Sequence, residues 1–152
     1  MNDFEFLVGG TWDVVNRRLL ERHTGSDKWD EFPGVTVAHS FFGGNGSFDE
    51  ITFPTLGTAG ATVRAFDPAK EEWSIWWISS RDGQLTPPVV GRWTDGVGLF
   101  YGDDVDGDLP VRCRFTWTRE GADRARWEQA FSTDGEQTWE TNWVMEMTRR
   151  AG

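Results

Sequence analysis

Turn-forming residues recur at short intervals along the whole chain and divide it into segments that are too short for most helices. Most of these turns pair Asp with Gly or Pro, residues that accept a positive φ angle or preset a turn. They lie at residues 43–46, 67–68, 82–83, 95–96, 106–107 and 134–135. This spacing favours antiparallel strands that are joined by hairpins.

The segments between the turns are rich in β-branched and aromatic residues, and several alternate between apolar and polar side chains. The alternation is clearest over residues 73–78, 112–117 and 142–147. One helical turn is predicted within Asp3–Val8, where it would plug one end of the sheet structure. We predict ten strands, near residues 11–22, 34–42, 47–54, 61–67, 73–80, 88–94, 97–103, 111–119, 124–132 and 138–149.

Ten strands in 152 residues would leave long sheet edges exposed unless the sheet closes on itself. The sequence therefore predicts an all-β fold: a single antiparallel up-and-down β-barrel of about ten strands with a short N-terminal helical turn. We expect this barrel to be one domain over residues 1–152. Barrels of about this size can enclose one small ligand. A sandwich of two sheets is the alternative architecture.

Charge and cysteine content limit the partners and the compartment. Fifteen Lys and Arg against 25 Asp and Glu give a net charge of -10, which repels phosphate backbones and anionic membrane surfaces. Asp3 and Glu5 stand where a signal peptide would carry positive charge. Cys113 is the only cysteine, so the chain forms no internal disulfide. We expect a cytoplasmic monomer or homodimer that binds neither nucleic acid nor membranes.

The two ends of the predicted barrel carry a further pattern. Gly10-Thr11-Trp12 stands at the start of the first strand, and Met147-Thr148-Arg149-Arg150 ends the last. This pairing resembles the calycin superfamily, in which a Gly-x-Trp indole sits at the closed barrel end beneath an Arg from the final strand. The resemblance implies that Trp12 forms the barrel floor and that Arg149, or else Arg150, stacks on it.

Four further segments carry a second resemblance; they lie at residues 73–77, 88–92, 100–104 and 126–143. Through them the chain is similar, over nearly its full length, to a group of short bacterial lipocalin-like proteins of unknown function. This resemblance implies the fold and almost no chemistry.

Residues 132–139, with the sequence STDGEQTW, resemble the Asp-box hairpin of sialidases, although Glu136 stands where that motif has Gly. The resemblance implies a structural turn held by Ser132 and Asp134, not a catalytic role.

We expect the apolar face of each strand to point into the barrel. Ten Trp and eleven Phe would then give a flat apolar lining, suited to a small hydrophobic or aromatic ligand. Inward positions would also include Val35, Val37, Leu99, Cys113 and Met147. The predicted ligand-binding residues are His39, Trp77, Tyr101, Phe115, Trp117, Trp127, Gln129, Trp143 and Met145. In the alternative interpretation, these aromatic residues fill the barrel as an ordinary core and leave no cavity.

A second hypothesis is a cofactor-independent isomerase, cyclase or lyase that acts on a small hydrophobic metabolite in the same cavity. Its candidate proton-transfer groups are His39, Tyr101 and the pair Arg114 and Glu128, which lie on strands that we expect to be adjacent. Arg64 and Arg18 are candidates to bind a ligand carboxylate. A third possibility is a structural or interaction protein.

No cofactor or metal is expected. His23 and His39 are far apart in the sequence, and no further His accompanies them on a shared face, which disfavours a zinc site. The acidic run at residues 103–108 lacks the Gly and Glu of a calcium-binding EF-hand loop. The chain contains no phosphate-binding loop and no dinucleotide fingerprint.

Overall fold

Ten antiparallel strands follow one another in the computed structural model, which describes residues 1–151. Each strand pairs with its neighbour in sequence, and β1 also pairs with β10, so the sheet closes into an up-and-down barrel. The predicted fold class is confirmed, and it is consistent with a calycin-like architecture. The strands are β1 (Trp12–Leu19), β2 (Trp29–Phe41), β3 (Gly46–Phe53), β4 (Thr58–Asp67), β5 (Glu72–Ser79), β6 (Val89–Thr94), β7 (Val97–Asp106), β8 (Leu109–Arg119), β9 (Arg124–Ser132) and β10 (Glu140–Arg149).

Two short 3-10 helices accompany the strands, at Glu5–Leu7 and Phe42–Gly44. The first is the predicted N-terminal turn, and the second lies in the connection between β2 and β3. None of the helices within residues 1–151 is long and apolar enough to span a membrane.

The barrel has two different ends. The floor end contains the start of β1, the end of β10 and the N-terminal segment, whereas the mouth end contains the connections that follow β1, β3, β5, β7 and β9. Phe4 enters the floor end and is 1% exposed. Its ring packs edge-on against Trp73, Trp93 and Trp117, at centroid distances of 4.8, 5.3 and 6.0 Å. The N-terminal segment therefore closes this end with aromatic contacts.

Trp12 and Arg149 lie next to each other at the floor end, beside the N-terminal segment. Trp12 is fully buried, and its indole Nε1 donates to the Leu7 carbonyl at 2.9 Å. The Arg149 guanidinium carbon lies 4.3 Å from the centre of the indole ring, within the range of a cation–π contact. The same guanidinium donates to the carbonyls of Phe6 and Gly9. These contacts attach the N-terminal segment to the first and last strands.

Strand β2 corrects one of the predicted inner faces. We expected Val35, Val37 and His39 to point inward, but the structure places them on the outer surface. The cause is the register with β1: Thr36 pairs with the fully buried Trp12, and Val35 pairs with the exposed Asp13. Directly paired residues share a face of a sheet, so the inner positions of β2 are the even-numbered ones.

Strand β7 corrects a second inner face. Leu99 and Tyr101 were expected inside, but Phe100 is the inward residue and is fully buried, whereas Leu99 is 40% exposed. Glycines occupy the inner positions on either side of Phe100. A Cβ at Gly98 would lie 2.7 Å from the Phe100 ring, and one at Gly102 would lie 2.3 Å from the Pro88 carbonyl oxygen. The inner face of β7 is therefore too crowded for the larger side chains that mark a core face in sequence.

The connection between β9 and β10 is the Asp-box-like turn. Ser132 Oγ donates to Asp134 Oδ1 at 2.8 Å and accepts from the Glu136 amide at 2.9 Å. The Thr138 hydroxyl and amide both donate to the Asp134 carboxylate. Hydrogen bonds from the Thr138 side chain and backbone, together with one from Ser132, lower the pKa of Asp134 to about 2.

Removing the floor indole should destabilise the whole barrel. We expect Trp12→Ala to lower the free energy of unfolding by about 3 to 5 kcal/mol, because it leaves a large cavity and strips Arg149 and the Leu7 carbonyl of a partner. Equilibrium denaturation followed by circular dichroism measures this loss. Trp29→Ala is the matched control, since Trp29 is 38% exposed and should cost far less. Equal losses in the two variants would contradict the role of Trp12.

The turn between β9 and β10 should loosen in acid. Because the pKa of Asp134 is lower in the folded chain than in the unfolded one, its hydrogen bonds stabilise the turn above about pH 4. That contribution should be lost as the pH falls from about 4 to about 2. An NMR titration of the Asp134 carboxyl carbon measures the midpoint, and Thr138→Ala should move it up towards 4. A midpoint near 4 in the unsubstituted protein would contradict this account.

Candidate functional site

A cavity of about 90 Å³ lies inside the barrel. It extends from Arg64 and Trp117, which contact the Phe4 ring at the floor end, to Thr86 and Pro87 in the connection between β5 and β6 at the mouth end. Most of its wall is apolar and aromatic. The lining residues are Thr36, Asp49, Ile51, Thr62, Arg64, Ile75, Trp77, Thr86, Pro87, Val89, Asp104, Cys113, Phe115, Trp117, Trp127, Gln129, Trp143, Met145 and Met147.

The aromatic wall is held in place by contacts between its own members. Phe115 and Trp127 meet edge to face at 5.0 Å, and Trp127 meets Trp143 in the same way at 6.2 Å. Trp143 Nε1 donates to the side-chain oxygen Oδ1 of the buried Asn16 at 3.1 Å, and Asn16 Nδ2 in turn donates to the Phe32 carbonyl. This chain of hydrogen bonds satisfies the polar atom of the indole and fixes the orientation of its ring.

Trp77 forms the wall near the mouth end and is only half-buried. Its ring lies against Gly60, where a Cβ would come within 1.9 Å of the indole. Thr86 brackets the backbone of Trp77 from the other side: its amide donates to the Trp77 carbonyl at 2.8 Å, and its hydroxyl accepts from the Trp77 amide at 3.3 Å. A glycine on one side and a hydrogen-bonded loop on the other therefore set the position of this indole.

A buried ion pair forms the polar part of the cavity. Arg64 is 2% exposed, and its Nη2 donates to Asp49 Oδ2 at 2.5 Å, while Nη1 donates to Ser47 Oγ at 3.1 Å. The guanidinium carbon also lies 4.8 Å from the Phe4 ring centre and 5.3 Å from that of Trp117. Its Nε has no acceptor among residues 1–151. The arginine is thus neutralised by a carboxylate, but one of its three nitrogens, Nε, has no hydrogen-bond partner in the described part of the chain.

The long connection between β1 and β2 reaches across the mouth end. Arg22 Nη1 lies 3.0 Å from Asp106 Oδ1, and His23 Nε2 lies 2.8 Å from the other oxygen of the same carboxylate. The His23 amide also donates to Glu140 at 2.9 Å. Since β10, β9 and β8 separate β1 from β7 in the barrel, this loop spans the ends of those strands.

Seven of the nine predicted ligand-binding residues line the cavity, and two do not. His39 lies on the outer surface, where its ring stacks on that of Phe48 at 4.9 Å. Tyr101 also faces outward and packs against Trp139 at 6.0 Å. Both errors follow from the reversed faces of β2 and β7. The residues on the cavity wall are Trp77, Phe115, Trp117, Trp127, Gln129, Trp143 and Met145.

The proposed pair of Arg114 and Glu128 does not form. Arg114 stands opposite Ala130, and its guanidinium carbon lies 4.4 Å above the Trp139 ring on the outside of the barrel. Glu128 stands opposite Thr116 and accepts hydrogen bonds from Arg126. None of these groups lines the cavity.

Sequence reasoning missed the carboxylate at Asp49 and the second one at Asp104. Asp49 lies on an inner face with Ile51 and Phe53, both of which are buried. In the sequence, an acidic residue alternates with apolar ones at every second position of this strand, and the next strand contains Arg64. This pattern is a signal that would have found the pair. Asp104 follows Phe100 and Gly102 on the inner face of β7, so the error on that strand hid it.

No protein-family model matches the chain, and no curated protein matches it. Among residues 1–151, no group of three or more His, Cys, Asp or Glu side chains is placed to hold a metal ion.

The single cysteine lies on the cavity wall. Cys113 is 2% exposed, and burial, assisted by the negative charge of Asp104, raises the pKa of its thiol to about 12. Thiolate is the reactive form, so this residue acts as an apolar wall group rather than as a nucleophile.

Cys113 should resist thiol reagents for as long as the barrel is folded. At neutral pH, its thiolate fraction should be roughly a thousandfold below that of a free cysteine, and burial adds a steric barrier. The measurement is the labelling rate with Ellman's reagent at pH 7. The same protein in guanidinium chloride provides the control and should react at the rate of a free thiol. Rapid labelling of the native protein would contradict the pKa assignment.

Proposed function

We propose that the barrel binds a small hydrophobic or aromatic molecule in the cavity. The observation that carries this proposal is an interior space with an aromatic wall and a few polar groups grouped at Arg64, which is the usual composition of a ligand site. Trp77, Phe115, Trp117, Trp127, Trp143 and Met145 would supply the apolar contacts, and Gln129 would orient the ligand. The barrel and its aromatic clusters are compatible with such binding.

The volume limits the size of the ligand. A cavity of about 150 Å³ in another protein accepts benzene, so 90 Å³ holds a smaller group or one ring after the wall has moved. Admitting a ring requires a shift in the wall, where Trp77, Phe115 and Trp143 are half-buried rather than fully buried. A larger ligand would place one end in the cavity and extend towards the mouth.

The alternative, a cofactor-independent isomerase, cyclase or lyase, requires proton-transfer groups in the same space. His39, Tyr101, Arg114 and Glu128 all lie outside it. The carboxylates of Asp49 and Asp104 do line the cavity, but Asp49 is hydrogen-bonded to Arg64, which leaves Asp104 as the one carboxylate there without a cation partner among the described residues. This distribution supports binding over turnover.

The proposal also covers the cellular location, the partners and the family of the chain. We propose that the chain acts as one domain over residues 1–152, in the cytoplasm, as a monomer or homodimer without cofactor, nucleic-acid or membrane partners. We further propose that it belongs with the short bacterial lipocalin-like proteins of the calycin superfamily. The closed ten-strand barrel and the stacking of Arg149 on Trp12 support the second statement, and the net charge of -10 supports the absence of nucleic-acid and membrane partners.

Blocking the cavity should abolish binding. We expect benzyl alcohol to shift the indole N–H signals of Trp77, Trp127 and Trp143 in a ¹⁵N–¹H NMR titration, and native mass spectrometry to detect a small molecule that co-purifies. Thr62→Phe places a ring in the cavity next to Trp77 and should remove these shifts. Val63→Phe is the matched control on the exposed outer face of the same strand and should leave them unchanged.

Two outcomes would contradict the proposal. Without any indole shift and without a co-purified molecule, the barrel is filled by its own side chains. Shifts that survive Thr62→Phe but not Val63→Phe would place the ligand on the outer surface.

A further inference from the structure

The cavity contains one more negative than positive group, although an arginine is its most buried polar residue. We propose that the ligand carries an uncharged hydrogen-bond acceptor, such as an amide or ketone carbonyl, that binds Arg64, and that Asp49 makes the cavity reject carboxylates. This inference rests on the proposed binding function and adds to it the class of ligand head group.

Arg64 is placed to bind an acceptor at the inner end of the cavity. It is 2% exposed, and its two terminal nitrogens are already used by Ser47 and Asp49. Its Nε carries an N–H that has no acceptor among residues 1–151, although the side chain lines the cavity. This atom is buried, so a ligand oxygen would reach it only after a small shift of the neighbouring wall. An unpaired buried donor is costly, so a ligand oxygen that accepts from it gains more than the same contact would gain in water.

The charges around the cavity argue against an anion as that acceptor. Asp49 lies 2.5 Å from Arg64 and neutralises it. Asp104 also lines the cavity, and the one hydrogen bond that its carboxylate accepts within residues 1–151 comes from the Val105 amide rather than from a cation. A ligand carboxylate would therefore enter a space that already holds a net negative charge, within walls of low polarity that screen it poorly.

Two cations lie near the mouth, and neither is among the residues that line the cavity. Arg22 is held by Asp106 at 3.0 Å; Arg18 lies 4.0 Å from Asp30, and its guanidinium carbon is 5.3 Å from the ring centre of Trp143. A carbonyl, by contrast, accepts the Arg64 hydrogen bond without bringing charge, and an amide also offers N–H donors to the Asp49 carboxylate. The arrangement therefore selects for an uncharged polar group attached to an apolar body.

The test compares two ligands of nearly equal shape. Benzamide and benzoate differ mainly in charge, and isobutyramide and isobutyrate form a smaller pair that fits the observed volume more easily. Dissociation constants come from shifts of the indole N–H signals, in about 0.15 M salt to screen surface charge. We expect each amide to bind at least tenfold more tightly than its carboxylate.

Asp49→Asn should reverse this preference. The substitution keeps the shape of the side chain but leaves Arg64 with an unbalanced positive charge, so the carboxylates should gain at least tenfold relative to the amides. Circular dichroism checks that the variant is folded. Asp104→Asn, at a less buried site, should shift the ratio in the same direction by a smaller factor, and it tests the inference even where Asp49→Asn does not fold.

Asp103→Asn is the matched control, because it removes the same charge from the adjacent position of β7, where the side chain is 92% exposed and faces away from the cavity. Its ratio should equal that of the unsubstituted protein. Carboxylates that bind as tightly as the amides, or an unchanged ratio in both cavity variants, would overturn the inference but leave the binding function intact. Tighter binding of benzylamine than of benzamide would also overturn it. Failure of every probe to bind would overturn the binding function itself.

Discussion

Closure of the sheet between β1 and β10 is the constraint on which the other features depend. Once ten strands form a ring, each must direct one of its two faces into a shared interior of fixed width. Aliphatic side chains alone would have difficulty filling that width, whereas indole and phenyl rings reach further inward. Phe4 and its ring partners occupy the floor end, and Phe115, Trp127 and Trp143 occupy the middle. The cavity is the space that this filling leaves.

The ion pair of Arg64 and Asp49 is unusual in such an interior. Removing two charged groups from water is expensive, and pairs of this kind are often no better for stability than apolar residues of equal volume. Here the cost is reduced by Ser47 and by the faces of Phe4 and Trp117, which lie close to the guanidinium. These contacts leave Arg64 Nε without a partner among the described residues, so the protein itself does not fully satisfy the guanidinium.

Much of the fold could be predicted from the sequence because turns and alternation are local signals. The turn-forming pairs fix the number and order of the strands, and β8, β9 and β10 each present their larger apolar side chains inward. Strands β2 and β7 break this rule for different reasons. The outer face of β2 carries Val35 and Val37, and the inner face of β7 carries Gly98 and Gly102. Alternation identifies the inner face of a strand only where the larger apolar side chains are also the buried ones.

The polar centre of the site could not be predicted from one strand, because it is a property of the hairpin that joins β3 and β4. Phe53 pairs with Thr58 across a turn of four residues. In this register Asp49 stands opposite Thr62, two residues along the strand from the pair of Ser47 and Arg64 and on the same face of the sheet. A shift of one residue would direct either Asp49 or Arg64 to the outer surface. The length of an exposed turn thus decides whether the cavity contains a neutral pair or a single buried charge.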